Sequence, residues 1–157
     1  MTIFRVCKSF HVENGHILSK NPGDCSYPHG HSRVVEVTLT SETLDENDMV
    51  CDFRALSLAI KPYLLRFDHA LCVNSENPQI DALRVVARDR LLVYEKTDPT
   101  TEVIAREIFH TLSDSIKNGF EQTDPHTGRV YRIRSTVRVE TIRVRETPFS
   151  WAEYSAG

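Results

Sequence analysis

Apolar and polar residues alternate near both ends of the chain and follow a helical spacing in its middle. From Ile3 to Val12, Phe4, Val6, Phe10 and Val12 fall on one side of an extended backbone, with Arg5 and Ser9 on the other, which predicts a strand. The same parity puts Asn14 and His16 on the face of Phe10 and His11 on the opposite one. Ser19 to Pro28 reads as a loop, with Asn-Pro-Gly-Asp as its turn signal. Val35, Val37 and Leu39 then alternate with Glu36, Thr38 and Thr40, giving a second strand over Ser32 to Thr40 and a hairpin with the first.

Ser41 to Asp48 is a polar, acidic connection, and Asp52 is a suitable N-cap for a helix from Phe53 to Arg66. Leu56, Ala59, Ile60, Tyr63, Leu64 and Phe67 form its apolar stripe, with a kink expected at Pro62. Pro78 to Arg88 predicts a short helix, and Leu91 to Tyr94 a short buried strand. The longest helix opens at Asp98-Pro99-Thr100-Thr101-Glu102, turns Ile104, Ile108, Leu112 and Ile116 inward, and stops at Gly119. Glu121 to Gly128 is expected as a loop. Beyond it the apolar positions run odd (Tyr131, Ile133, Val137, Val139) and then even (Ile142, Val144), which predicts a bulge near Glu140-Thr141. Arg132, Arg134 and Arg138 occupy the solvated face, Pro148-Phe149 marks a turn, and Ser150 to Tyr154 returns as an edge strand. The coarse order is β-β-α-α-β-β, with extra material between the two main helices and before the last hairpin.

Composition narrows the classes. A chain of 157 residues with 40% hydrophobic and 26% charged residues is expected to form one domain, residues 1–157, with a core of its own. A net charge of −3 argues against a general nucleic-acid binder. No apolar run reaches membrane-spanning length, and Met1 to Phe10 lacks the layout of a signal peptide, so the cytoplasm is the expected compartment. Cys7, Cys25, Cys51 and Cys72 show no close pairing, and Cys7, Cys51 and Cys72 read as small core residues.

The chemistry concentrates in Cys25-Ser26-Tyr27-Pro28-His29-Gly30-His31. On an extended backbone His29 and His31 share a face, and His16 joins them from the neighbouring strand. Three neutral imidazoles with an open fourth position suit a catalytic zinc, whereas Cys25 as fourth ligand makes a closed, structural site. Alternatively Cys25 stands beside the metal as a thiolate. Asp68-His69 forms either a carboxylate–imidazole relay or an ordinary helix end. Glu146 is either functional or paired with an arginine, and Glu102 fits a helix dipole equally well. A cupin-like enzyme also presents His-X-His on strands, but needs more strands than this chain offers around two good helices.

Taken in order, His16, Cys25-x3-His29-Gly30-His31, Phe67-Asp68-His69, Pro99-Thr100-Thr101-Glu102, Glu146-Thr147 and Ser150-Trp151-Ala152-Glu153-Tyr154 resemble the 6-pyruvoyltetrahydropterin synthase and 6-carboxytetrahydropterin synthase family over nearly the whole chain. The Cys-x3-His-Gly-His spacing looks like the bacterial 6-carboxytetrahydropterin branch, and the glutamate that folate-bypass members carry close before His-Gly-His is absent. Two features depart from the family pattern: Phe10-x5-His16 in place of a shorter spacing, and long segments over 70–98 and 121–134.

The resemblance implies the tunnelling fold (T-fold), a two-layer α+β domain whose antiparallel sheets close into a barrel in trimers that stack as a hexamer, with active sites between subunits. It implies Zn(2+) on His16, His29 and His31, Cys25, Asp68 and His69 as proton-transfer groups, and Glu146 as the pterin anchor, with Glu102 its competitor. The implied substrate is 7,8-dihydroneopterin triphosphate and the implied products are 6-carboxy-5,6,7,8-tetrahydropterin, acetaldehyde and triphosphate, a step toward queuosine and related deazapurines. The alternative activity is 6-pyruvoyltetrahydropterin formation; a non-catalytic zinc-stabilised assembly protein is the third reading. Lys20, Arg33 and Arg54 are candidates for holding the triphosphate.

Overall fold

A computed structural model describes residues 2–157. The alternating segments at the N-terminal end become β1 (Phe4–His16) and β2 (His29–Ser41), an antiparallel pair in unbroken register from Phe4 opposite Ser41 to His16 opposite His29. Even positions of β1 and odd positions of β2 share the inner face, where Val12, Asn14, His16, Arg33, Val35, Val37 and Leu39 are buried. A 3-10 turn over Asp24–Ser26 interrupts the loop between the strands.

The two main helices cover that face. In α1 (Phe53–Phe67) the Asp52 carboxylate accepts the Arg54 amide hydrogen at 2.7 Å, the expected N-cap, and Leu56, Ile60 and Phe67 are buried. The helix continues through Pro62 to Phe67.

Two elements lie between α1 and the long helix. The short strand β3 (Ala70–Asn74) is followed by α2 (Ile80–Ala87), which buries none of its residues and leaves Val85 and Val86 exposed. Next comes β4 (Leu91–Tyr94), and then α3 (Thr101–Ile116), which Thr100 caps through the Val103 amide. Ile104, Ile108, Leu112 and Ile116 are buried as the spacing predicts, each contributing about 1.5–3 kcal/mol. Gly119, at φ 84°, donates its amide hydrogen to Ile116 O and ends the helix.

The antiparallel ladder continues on β2 with β7 (Arg138–Thr147), whose outer neighbour is β8 (Ser150–Tyr154). On the far side of β1, β3 adds in parallel opposite Asn14–His16, and β4 adds in parallel to β3. The order is therefore β4-β3-β1-β2-β7-β8, a mixed six-stranded sheet rather than four strands. The Leu91–Tyr94 strand forms, but at the sheet's edge and half-buried rather than in the core.

The bulge predicted near Glu140-Thr141 is present. Thr38 faces Thr141 and Leu39 faces Val139, so Glu140 is the extra residue, and the inward positions pass from odd to even there. A second irregularity between Arg145 and Thr147 leaves Glu146 unpaired with β8. Two further expectations need correction. Glu121 to Gly128 is not all loop, since β5 (Phe120–Thr123) pairs with β6 (Val130–Ile133) as a separate hairpin. Cys7 is exposed because its odd position points outward on β1, whereas Cys51 and Cys72 are buried. On the expected solvated face Arg132 and Arg138 are exposed and Arg134 is half-buried, and further along β7 Arg143 lies 4.1 Å from the Trp151 ring centroid and bonds Glu153, while Arg145 pairs with Glu36.

Candidate metal centre

The far end of the β1–β2 hairpin carries the three histidines. His16 and His29 face each other across the ladder, and His31 follows on the same face of β2. Their ring centroids are 4.5, 5.2 and 5.2 Å apart, and one nitrogen from each lies within 4.8 Å of the others. Gly15 and Gly30 face each other between these histidines, where a β-carbon at either position meets backbone oxygen at 3.3 Å, so the close approach of the strands is easiest with glycine.

Hydrogen bonds orient two of the rings. His16 Nδ1 lies 2.8 Å from the Pro99 carbonyl and His29 Nδ1 lies 2.8 Å from the Tyr27 carbonyl. A carbonyl only accepts, so each Nδ1 carries its hydrogen and each Nε2 keeps a free lone pair. Nε2 of His16 and Nε2 of His31 are buried without any hydrogen-bond partner. Burial pushes His16 down to about 4, opposed by the Pro99 bond, and burial likewise lowers His31. Neutral rings with buried, unpartnered lone pairs fit a divalent transition metal.

Glu146 stands at the open side of this group. Its Oε1 is 3.9 Å from His16 Nε2 and its Oε2 is 3.9 Å from His31 Nε2. The Thr101 hydroxyl donates to Oε1, and Arg33 lies 3.8 Å from the same oxygen. Burial raises the Glu146 carboxyl, but the Thr101 bond, His31 and Arg33 more than offset it and hold it below the ordinary value. Glu102, on the same turn as the buried Thr101, is exposed.

The other expected site residues lie elsewhere. Cys25 is exposed on the 3-10 turn, and the ligand-distance cluster found among the described residues consists of His16, His29 and His31 without it. Asp68 and His69 do form a pair, 2.7 Å between Oδ2 and Nδ1. The chain bends for it at His69, φ 57°, and β1 anchors it: Asp68 Oδ1 accepts the Glu13 amide hydrogen at 2.8 Å while the His69 amide donates to Glu13 O. Burial raises the Asp68 carboxyl, but the bonds from His69 and Glu13 bring it below its usual range. Among the described residues no hydrogen bond or ion pair joins this dyad to the three histidines. One residue from each group, His69 and His31, lines a cavity of about 600 Å³ together with Glu13, Gly30, Val86 and Arg90.

None of the three basic triphosphate candidates is a free surface cation at the centre. Arg33 is completely buried beneath it, Arg54 pairs with Asp124, and Lys20 Nζ donates to the Lys96 carbonyl. Pro99 and Thr101 stand within the Pro99-Thr100-Thr101-Glu102 motif, but their contacts with His16 and Glu146, like the buried role of Arg33, escape a reading made along the chain. Arg33 shares the parity of His29, His31 and Val35, a signal that already places it inward.

The family model described as 6-pyruvoyl tetrahydropterin synthase matches residues 5–157. A 6-carboxy-5,6,7,8-tetrahydropterin synthase from Aquifex aeolicus is 28% identical over 170 residues, covering 96% of this chain and 97% of that protein. The enzyme of the same name from Bacillus subtilis is 26% identical, covering 96% and 84%. Among solved structures, an uncharacterized protein from Wolinella succinogenes superposes with a TM-score of 0.77 at 20% identity, covering all of both chains. The 6-pyruvoyl tetrahydropterin synthase of Caenorhabditis elegans gives 0.64 at 19% identity, covering 100% of this chain and 98% of that one. The α+β tunnelling fold expected from the sequence is thus borne out. With the match extending from β1 to the last residue, the chain belongs to the 6-pyruvoyl tetrahydropterin synthase family.

Proposed function

We propose that this protein is a zinc-dependent lyase that converts 7,8-dihydroneopterin triphosphate into 6-carboxy-5,6,7,8-tetrahydropterin, acetaldehyde and triphosphate. The observation that carries this reading is the pair of buried, partnerless Nε2 atoms on His16 and His31, aimed with His29 at one point beside the Glu146 carboxylate. Family membership and the names of the Aquifex and Bacillus relatives support the substrate class and the product.

Zinc held by His16, His29 and His31 would supply Lewis acidity to the substrate's hydroxylated side chain. Glu146 accepts N3–H and the 2-amino group of the pterin together, a paired, charge-assisted bond that fixes the ring's orientation. Asp68 holds the Nδ1–H of His69, which leaves His69 Nε2 to take or give a proton. The exposed thiol of Cys25 is the second proton carrier. The dyad's solvent-facing position, with His69 72% exposed, supports an active site completed between subunits. Open edges at β4 and β8 and the exposed Trp151 and Phe149 support a trimer-based homo-oligomer, a hexamer in this reading. The whole chain acts as one domain. No helix among the described residues is long and apolar enough to cross a membrane, and we place the enzyme in the cytoplasm.

Formation of 6-pyruvoyltetrahydropterin uses the same groups without carbon–carbon cleavage and is the second reading, supported by the name of the structurally similar Caenorhabditis elegans enzyme. A closed structural zinc site is disfavoured by Cys25, which lies outside the ligand cluster. Incubating the zinc-loaded protein with 7,8-dihydroneopterin triphosphate and identifying the pterin and any acetaldehyde decides among the three. Acetaldehyde with the carboxypterin is expected, a pyruvoylpterin without acetaldehyde selects the second reading, and no turnover rejects both.

A further inference from the structure

Arg33 is the largest fully buried side chain of the protein. A guanidinium removed from water is costly unless it is compensated by other groups, so its surroundings indicate why it is there. One terminal nitrogen, NH1, donates to Thr101 Oγ1 at 3.0 Å and lies 3.8 Å from Glu146 Oε1. The other, NH2, packs 3.2 Å from His16 Nδ1, whose hydrogen is already committed to Pro99. Nε has no partner.

The direction of these bonds is forced. A guanidinium only donates, so Thr101 oxygen accepts from Arg33; its single hydroxyl hydrogen then goes to Glu146, an ionised carboxylate that only accepts. The relay links three elements, β2, the first turn of α3 and the unpaired position of β7, and it ends on the carboxylate that faces the histidines. Without it, Glu146 occupies a strand position that β8 does not hold in register, with several rotamers open to its side chain.

We propose that Arg33 is a positioning residue that acts through Thr101 to fix the Glu146 carboxylate over the metal centre, and so sets how tightly that carboxylate grips the donor edge of the ligand. The inference rests on the reading of Glu146 as the pterin anchor. It also gives Arg33 a task other than binding triphosphate, since no part of its side chain reaches the surface.

The test uses the zinc-loaded, full-length protein and neopterin, a fluorescent pterin that lacks the triphosphate and is not turned over. Binding is measured for the parent, Glu146→Gln, Thr101→Val, Arg33→Met and Arg33→Lys, and for Thr101→Val combined with Glu146→Gln. Loss of a charge-assisted bond predicts neopterin affinity about tenfold or more lower in Thr101→Val and Arg33→Met, with zinc content unchanged. Arg33→Lys keeps the charge without the planar fork and recovers little of that loss. The decisive readout is coupling: once Glu146→Gln is present, adding Thr101→Val lowers affinity no further. Parent-like binding by Thr101→Val and Arg33→Met, or losses that add in full to that of Glu146→Gln, overturns the positioning role while leaving Glu146 as anchor. Parent-like binding by Glu146→Gln overturns both readings. Thr101→Val keeps the shape of this buried side chain and removes only its hydroxyl, so the outcome stands even where Arg33→Met does not fold.

Discussion

The protein places histidines in two opposite environments. His16, His29 and His31 converge at the inner end of a long hairpin, where burial keeps His16 and His31 neutral and two Nε2 atoms lack partners. His69 stands 72% exposed on a left-handed turn, its Nδ1 already bonded to Asp68. The first group is assembled by strand register within one chain. The second is a prepared side chain with nothing yet in front of it. Desolvation makes an imidazole a metal ligand, and a carboxylate neighbour with access to solvent makes it a proton carrier.

The largest effect that tests this contrast is metal content. His16→Ala, His29→Ala and His31→Ala each remove one of the three proposed ligands, and zinc measured per chain is expected to fall close to zero in all three. A His16→Ala protein that keeps its zinc removes the inner strand from the centre. His69→Ala, Asp68→Asn and Cys25→Ala are expected instead to keep zinc and lose about 10²–10⁴-fold in turnover, the usual share of a positioned acid or base. Near-parent rates in those variants reduce the dyad to a helix-end contact.

Substrate affinity comes next. Glu146→Gln retains shape but sets an amide donor against the pterin's donors, and calorimetric affinity is expected to drop by about 1.5–3 kcal/mol. Glu102→Gln, measured beside it, changes little because Glu102 is exposed on the first turn of α3. The reverse ranking assigns the anchor to Glu102.

Acid stability of the metal-free protein separates the two groups by pH. The His16 pKa falls from 6.5 to about 4 on folding, so between those values the unfolded chain binds a proton that the folded one refuses. Stability is complete above pH ~6.5 and declines toward pH ~4, by roughly 3 kcal/mol at most. Asp68, also depressed, loses its contribution only below its ordinary value of 3.8, and that contribution is small because the pair is open to solvent. Denaturant midpoints taken from pH 8 to pH 3 on apo parent and on a His16→Gln variant test this; identical slopes for the two remove His16 as the cause.

Much of this was legible along the chain because strand parity is a local property. The even face of β1 and the odd face of β2 bring His16, His29 and His31 together in register, and the odd-to-even switch after Val139 locates the bulge at Glu140. Asp52, Thr100 and Gly119 act as the caps and stop their residue types suggest. What escaped depends on distant partners. The parallel addition of β3 and β4 is decided by where α1 and α2 deliver the chain, not by the short apolar runs themselves. Strand parity places Arg33 inward, but its partners Thr101 and Glu146 come from α3 and β7 and cannot be read along the chain. Cys7 misled by residue type, although its odd number already marked it as outward.

Glu146 belongs to neither neighbouring ladder: β2 pairing ends at Arg145, and β8 pairing skips from Arg145 to Thr147. A backbone position exempt from the sheet's bonding pattern can exchange its side chain without disturbing strand alignment. Recognition at this centre is thereby uncoupled from the integrity of the sheet, and a lineage can rewrite what the pocket grips while inheriting the scaffold unchanged.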